Sequence, residues 1–247
     1  MIITCINQKG GVGKTTTADT IMSYLKTKNI PALAVDLDPQ ANLTTAFNAN
    51  MSDAIMDAFS DNLDMDSLIT HTDKGDIITS SNRLRDAGEV LSKTGREFKL
   101  KKILDKVCEE KNYEYIVIDT PPSLDILTIN ALTATDKVVV VAQADVYSIS
   151  GLDKLNEAIE LVREYTNSNI KIDGILITRY NSRTNLSKNI LQTFEDIAKQ
   201  IGTRVYSTPI RETIKIKEVQ AQQGNIFELY PKENVTKDYL SFVKELL

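Results

Sequence analysis

Two cysteines and one histidine stand in 247 residues, and their placement suggests neither a metal site nor a redox pair. Cys5 falls inside an apolar strand pattern and Cys108 inside a helical one, so both read as buried small hydrophobes. His71 lies in a Thr-His-Thr-Asp loop with no ligand partners in view and reads as surface. Positive charge is not in excess either. With a formal net charge of −5 the chain is not a wholly basic nucleic-acid binder, although a local basic patch stays open. No apolar run approaches the ~18 residues of a membrane-spanning helix, and no basic segment precedes the short apolar run at the start. Repeats and low-complexity segments are lacking. These absences imply a cytoplasmic protein. What is there is an ordinary globular composition, 42% apolar and 26% charged, long enough to bury an ample core as one α/β domain or two small ones.

The most informative stretch is Lys9-Gly10-Gly11-Val12-Gly13-Lys14-Thr15-Thr16. It joins an apolar run, 1–6, to a segment whose apolar residues Ala18, Ile21, Met22 and Leu25 recur at helical spacing. A glycine-rich turn in that position leaves backbone N–H groups to point at phosphate oxygens, and the helix start adds unpaired donors and a positive dipole end. Lys14 supplies a point charge for the β- and γ-phosphates, and the Thr15 hydroxyl is placed to ligate magnesium. The common P-loop pattern has a glycine where this chain has Gln8, and a second lysine, Lys9, precedes the glycines. A turn that merely connects strand to helix does not need the lysine and threonine where they fall. A dinucleotide-binding loop, with Asp36 for a ribose, fails at its third glycine, because Gly13 is followed by Lys14-Thr15-Thr16.

Two more stretches carry acids at strand ends. The apolar strand 32–35 ends in Asp36-Leu37-Asp38-Pro39-Gln40-Ala41-Asn42. Acids one residue apart send both carboxylates to one side, at the carboxyl edge of the sheet where phosphates would lie. Capping preference alone would also allow Asp38 as a helix N-cap. The strand 115–118 ends in Asp119, in the arrangement that holds a magnesium-bound water opposite Thr15, and Pro121-Pro122 stops it.

Further strands are expected at 76–80, 137–142, 172–178 and 204–207. Helices are expected at 16–28, 81–111 with a break near 92–95, 150–166, 185–201 and 237–247. Residues 48–75 are polar and acidic with short helical patterns. Strands alternating with helices predict an α/β fold, a single P-loop domain over 1–247 with a mostly parallel sheet of about seven to eight strands and helices on both faces. Residues 51–80 carry seven acids against Lys74 alone, and 171–217 carry nine Lys/Arg against four acids; the usual meaning is two solvated faces. The last helix could dip into a membrane or dock on the core, and the offset of its lysines by Asp238 and Glu245 favours docking.

The glycine-rich loop resembles the deviant Walker A box of the ParA/MinD ATPase superfamily. Residues 36–42 and Asp119-Thr120-Pro121-Pro122 resemble the two switches of ParA/Soj proteins, and the likeness covers essentially the whole chain. It implies a Mg-ATP-dependent, dimerising ATPase of plasmid or chromosome partitioning, with ATP and Mg2+ as cofactors. By that resemblance Lys9, Lys14 and Asp38 are catalytic: Lys9 reaches across a homodimer to the partner's ATP, and Asp38 activates the attacking water. Thr15, Asp36 and Asp119 stand near the metal. Nucleotide is held by Lys9, Gly10, Gly11, Val12, Gly13, Lys14, Thr15 and Thr16, and beside the adenine by Pro209 and Arg211, where Pro209 precedes Ile210 and Arg211 instead of the family's Ile-Pro-Arg.

The resemblance further implies that the ATP dimer binds nonspecific DNA through Arg183 and Lys215, with Lys217 added for proximity, and is then nucleoid-associated. A ParB-type centromere-binding partner stimulates hydrolysis. These cations also read as ordinary solvated charges. Without a helix-turn-helix extension before the first strand, operator-specific repression is not expected, nor is stable membrane association. Two other classes stay open: a MinD-like membrane-cycling positioning ATPase, and a nucleotide-binding regulatory module with little turnover, against which Asp38 and Lys9 both argue.

Overall fold

The structure, a computed structural model, describes residues 1–145, 148 and 151–247. Seven strands form one sheet: β1 (Ile2–Ile6), β2 (Ala32–Asp36), β3 (Thr70–Thr72), β4 (Gly75–Ile78), β5 (Tyr115–Asp119), β6 (Lys137–Gln143) and β7 (Lys171–Thr178). Their order is β3-β4-β2-β5-β1-β6-β7. Every neighbouring pair runs parallel except β3 with β4. Parallel neighbours need crossovers, and helices supply them on both faces.

Side-chain alternation shows how both faces are sealed. In β5, Val117 packs with the Lys14–Thr27 helix and the C-terminal Asn234–Leu246 helix, while Ile116 and Ile118 face the Lys99–Glu110 and Ile126–Ala134 helices. In β6, Val139 and Val141 join the first of these clusters, and Val138, Val140 and Ala142 pack under the Leu152–Tyr165 and Asn185–Gln200 helices. Near-continuous apolar strands are what a sheet covered on both sides requires. The expected α/β architecture is the one found.

Several local expectations need correction. The acidic stretch contains a strand, β3, and His71 sits in it, not in a loop; its Nδ1 lies 2.7 Å from Asp76 Oδ1 across the hairpin. At 204–207 no full strand forms. A single parallel bridge joins Val205 to Ile175, and pairing resumes only at Ile210, whose N–H donates to the Ile177 carbonyl. Pro209 between them has no N–H to give a ladder, so the sheet stops at seven strands. The Tyr206 ring lies so close to Gly174 that a Cβ there would come within 2.9 Å of it. Cys108 is exposed on the outer side of its helix, and only Cys5 is buried. The helix expected from 150 is seen from Leu152, and Ser150 lies outside the described residues.

The C-terminal helix docks on the core. Val235, Tyr239, Phe242, Val243 and Leu246 are buried, each worth about 1.5–3 kcal/mol for a fully covered large side chain, and Phe242 meets the Tyr206 ring edge to face at 4.8 Å. Among the described residues no helix is long and apolar enough to cross a membrane. Parallel strand direction brings the ends of β1, β2, β5, β6 and β7 to one edge, with Asp36 and Cys5 both in register with Asp119.

Candidate active site

At that edge the chain leaves β1 into the glycine loop. Gly11 and Gly13 take left-handed φ angles of 75° and 102°, which a residue with a Cβ adopts only at a cost. Val12 is buried and anchors the turn: its carbonyl accepts the Thr178 hydroxyl at 2.6 Å, and the Gly11 carbonyl accepts Gln143 Nε2 at 3.0 Å. These contacts engage two of the loop's carbonyls on the protein side, an arrangement that suits a loop whose N–H groups receive an anion. Lys14 opens the helix and is buried, its Nζ 3.3 Å from the Lys9 carbonyl. Burial lowers its pKa, and the charges of Asp119 and Asp38 act against that shift.

The Thr15 hydroxyl donates to Asp119 Oδ2 at 2.6 Å, and Asp119 Oδ1 is buried with no hydrogen-bond partner. Burial first, and then the charge of Asp36, push the Asp119 carboxyl well above the usual range. Among the described residues no cluster of three His, Cys, Asp or Glu side chains is arranged to hold a metal. One hydroxyl and one carboxylate are present instead, a set of hard oxygen donors that suits magnesium, which keeps waters and phosphate oxygens in its shell.

Asp36 and Asp38 part company. Asp36 accepts the Thr44 N–H and hydroxyl on Oδ2, each at 2.8 Å, and the Asp38 N–H on Oδ1 at 3.1 Å. Both its oxygens are therefore engaged by the segment that follows β2. Burial pushes its pKa up to about 6 against the pull of those hydrogen bonds. Asp38 Oδ1 accepts the Gln40 N–H at 2.9 Å, a local Asx turn. It does not cap a helix: the next one, Asn42–Ala46, begins after Ala41 in a left-handed conformation. Ser80, just beyond β4, braces this segment by donating its hydroxyl to the Asp38 carbonyl at 2.6 Å and its N–H to Thr44 Oγ1 at 3.0 Å.

The remaining candidates disperse. Lys9 pairs with Asp145 of its own chain at 2.5 Å. Thr16 Oγ1 accepts Gln220 Nε2 at 3.0 Å. Half-buried Pro209 lies beside the end of β7, but Arg211 is closed on Asp238 of the C-terminal helix by Nε at 2.6 Å and NH2 at 2.8 Å. Lys215 pairs with Glu218 at 2.9 Å and lies over the Tyr230 ring at 4.6 Å. Arg183 and Lys217 are exposed. Thr44, Ser80, Gln143 and Thr178 were not singled out from sequence, and only Thr178, closing an apolar strand at this edge, carried any signal.

The AAA domain family model matches residues 1–172. The sporulation initiation inhibitor protein Soj of Bacillus subtilis (strain 168) is 36% identical over 99% of this chain and 97% of its own. A structure of cobyrinic acid a,c-diamide synthase from Mycobacterium smegmatis, with an ATP analogue and magnesium bound, superposes with a TM-score of 0.86 at 30% identity, covering 99% of this chain and 93% of that one. A plasmid partition protein from Borrelia burgdorferi B31 bound to AMPPNP gives 0.81 at 28% identity, covering 99% and 97%. The glycine loop, the two acids at the end of β2 and the acid closing β5 meet at one sheet edge of a chain related to Soj over nearly its full length, and the chain belongs to the ParA/Soj family of P-loop ATPases.

Proposed function

We propose that residues 1–247 work as one P-loop domain, a magnesium-dependent ATPase that dimerises on ATP and partitions plasmid or chromosomal DNA. The observation that carries this reading is the Thr15–Asp119 contact beneath the loop, with Asp119 Oδ1 left unpartnered. Magnesium held there would supply neutralisation of the charge that develops between the β- and γ-phosphates. The related structures with an ATP analogue and magnesium, and with AMPPNP, support both cofactors. The loop N–H groups from Gly10 to Thr16 cradle the phosphates, and Lys14 adds its charge.

Asp38, close enough to Lys14 to act on its proton affinity, orients the attacking water. Asp36 serves from behind by fixing Thr44 and the Asp38 backbone. Pro209 flanks the base, and Arg211, taken up by Asp238, is left out of the nucleotide contacts. Lys9 reaches the partner's ATP once its ion pair with Asp145 opens. The ATP dimer binds nonspecific DNA and is nucleoid-associated in that state, and a ParB-type partner stimulates hydrolysis. The apolar side of the C-terminal helix, packed in the core, speaks against the MinD-like membrane reading.

The test separates binding from chemistry. A carboxylate beside the attacking water matters chiefly in the transition state, so Asp38→Ala should bind ATP normally and form a stable dimer by light scattering while turnover falls about 10²-fold or more. Turnover at the wild-type rate would move the role elsewhere, first to Asp36. A folded Lys14→Ala that kept its ATP affinity by calorimetry would undo the loop assignment.

A further inference from the structure

Lys74 is the lone lysine or arginine among the seven acids of residues 51–80, and it sits in the β3–β4 turn. Its Nζ lies 2.5 Å from Asp19 Oδ1 in the Lys14–Thr27 helix, donates to the Gly224 carbonyl at 3.1 Å, and stands 5.4 Å from the centre of the Phe47 ring. Phe47 closes the Asn42–Ala46 helix that follows Asp38. One ammonium group therefore touches the helix of the phosphate loop, the segment of the water-activating acid, and Gly224 in the stretch that follows Pro209. The Lys74 and Asp19 side chains are each only 13% exposed, and an ion pair withdrawn from water persists only where its geometry is well fixed.

Two glutamines run alongside. Gln220 Nε2 donates to Thr16 Oγ1 at 3.0 Å, and Gln223 Nε2 donates to the Thr45 carbonyl at 2.8 Å. Residues 215–224 are thus fastened to the phosphate loop and to the segment after Asp38, and carry Lys217 one turn before the first fastening. A ligand shifts a distant element only through contacts that differ between two arrangements, and these fastenings are the contacts that join the phosphate loop to residues 215–224. We infer that Lys74 is a positioning residue that, together with Gln220 and Gln223, transmits nucleotide occupancy of the phosphate loop to residues 215–224. This rests on the ATP site proposed above; its consequence for DNA rests on the cation assignments made there.

Hydrogen exchange reads the joint without DNA. In the wild type, ATP with magnesium should slow exchange in residues 9–16 and also change it in 215–224. Lys74→Met combined with Asp19→Leu, which leaves no buried charge unpaired, should keep the first response and lose the second. Gln223→Ala should weaken the second response alone. Gln223 has a φ of 49°, a backbone equally awkward for alanine, so that change isolates the side chain. Lys74→Arg keeps the charge and should restore the response.

On random-sequence DNA, the ratio of affinities with ATP and with ADP should fall in the double variant to within roughly twofold of unity, from the 5–150-fold that allosteric coupling usually carries. A full 215–224 response in both the double variant and Gln223→Ala overturns the inference, as does a wild type that protects its loop but leaves 215–224 unchanged. A wild type whose loop ignores ATP overturns the nucleotide reading and the joint with it. A wild type that shows both exchange responses without binding DNA refutes the cation assignments and leaves the joint standing.

Discussion

A hydroxyl and a carboxylate 2.6 Å apart, one from the start of a helix and one from the end of a strand 104 residues later, make the smallest unit of this site. Asp119→Asn keeps the shape and removes the charge. Nucleotide should still enter the loop, but magnesium titration of the ATPase should show turnover reduced about 10²-fold or more and no longer rescued by excess metal. Unaltered magnesium dependence would place the ion elsewhere. Single residues were legible in the sequence where chemistry is local. Lys14, Thr15 and Asp119 announce themselves through the loop, the helix and the strand end around them. Partners far along the chain did not: nothing in the pattern joins Arg211 to Asp238 or Lys9 to Asp145, because the fold and not the spacing brings them together. Lys215 with Glu218 is different. An i,i+3 pair on a helix was readable in advance, and it ties Lys215 to a local acid.

Elements succeed or fail by how much apolar surface they commit. The strands β1, β2, β5, β6 and β7 were plain because both their faces are covered, whereas β3 has three residues, none of them apolar, and so left no period to read. The C-terminal helix is held by more than its apolar side. At the amino ends of β6 and β7, Asp173 accepts Arg204 NH2 and Tyr206 OH, each at 2.9 Å, with Lys137 at 3.4 Å. Arg204 also meets Glu245 at 3.3 Å, and Lys137 donates to the Leu246 carbonyl at 2.6 Å.

Burial alone would raise the Asp173 pKa, but the hydrogen bonds from Arg204 and Tyr206 and the charge of Lys137 outweigh it and hold the carboxyl below its ordinary 3.8. A depressed carboxylate contributes stability above its unfolded pKa and loses it as pH falls through the folded one. Asp173→Asn should therefore cost on the order of 2 kcal/mol at neutral pH, a drop of about 4–8 °C in midpoint for a chain of this length. The gap to the wild type should close as thermal melts are taken below about pH 4. A gap that stays constant to pH 3 would show that charge is not what Asp173 contributes.

For the whole molecule, the DNA binding proposed above has to be reconciled with an acidic chain. The chain offers Arg183 and Lys217 as exposed cations, with Lys215 answered by Glu218, against a net charge of −5. In the proposed ATP dimer, two copies on one face would double the phosphate contacts. The logarithm of affinity then falls with the logarithm of salt at a slope of roughly −0.9 per contact. Arg183→Glu with Lys217→Glu should weaken ATP-dependent binding to random-sequence DNA and flatten that slope by about 2–4, while Lys215→Glu alone should matter less. Mobility shifts across a salt series decide it, and an unchanged slope in a variant that still dimerises would move the DNA surface elsewhere.

Both margins of the sheet are blunted. On one side lies the short polar β3, with His71 outward and paired to Asp76; along the other, residues 204–211 touch β7 intermittently around Pro209. Unpaired strand margins are where protein chains stick to one another, and polar, short or interrupted margins resist it. At high concentration, assembly of this protein is thereby kept from zipping strand to strand into fibres. In the dimer proposed above, copies would be left to meet through loops and helices, contacts that can come apart again when a nucleotide is spent.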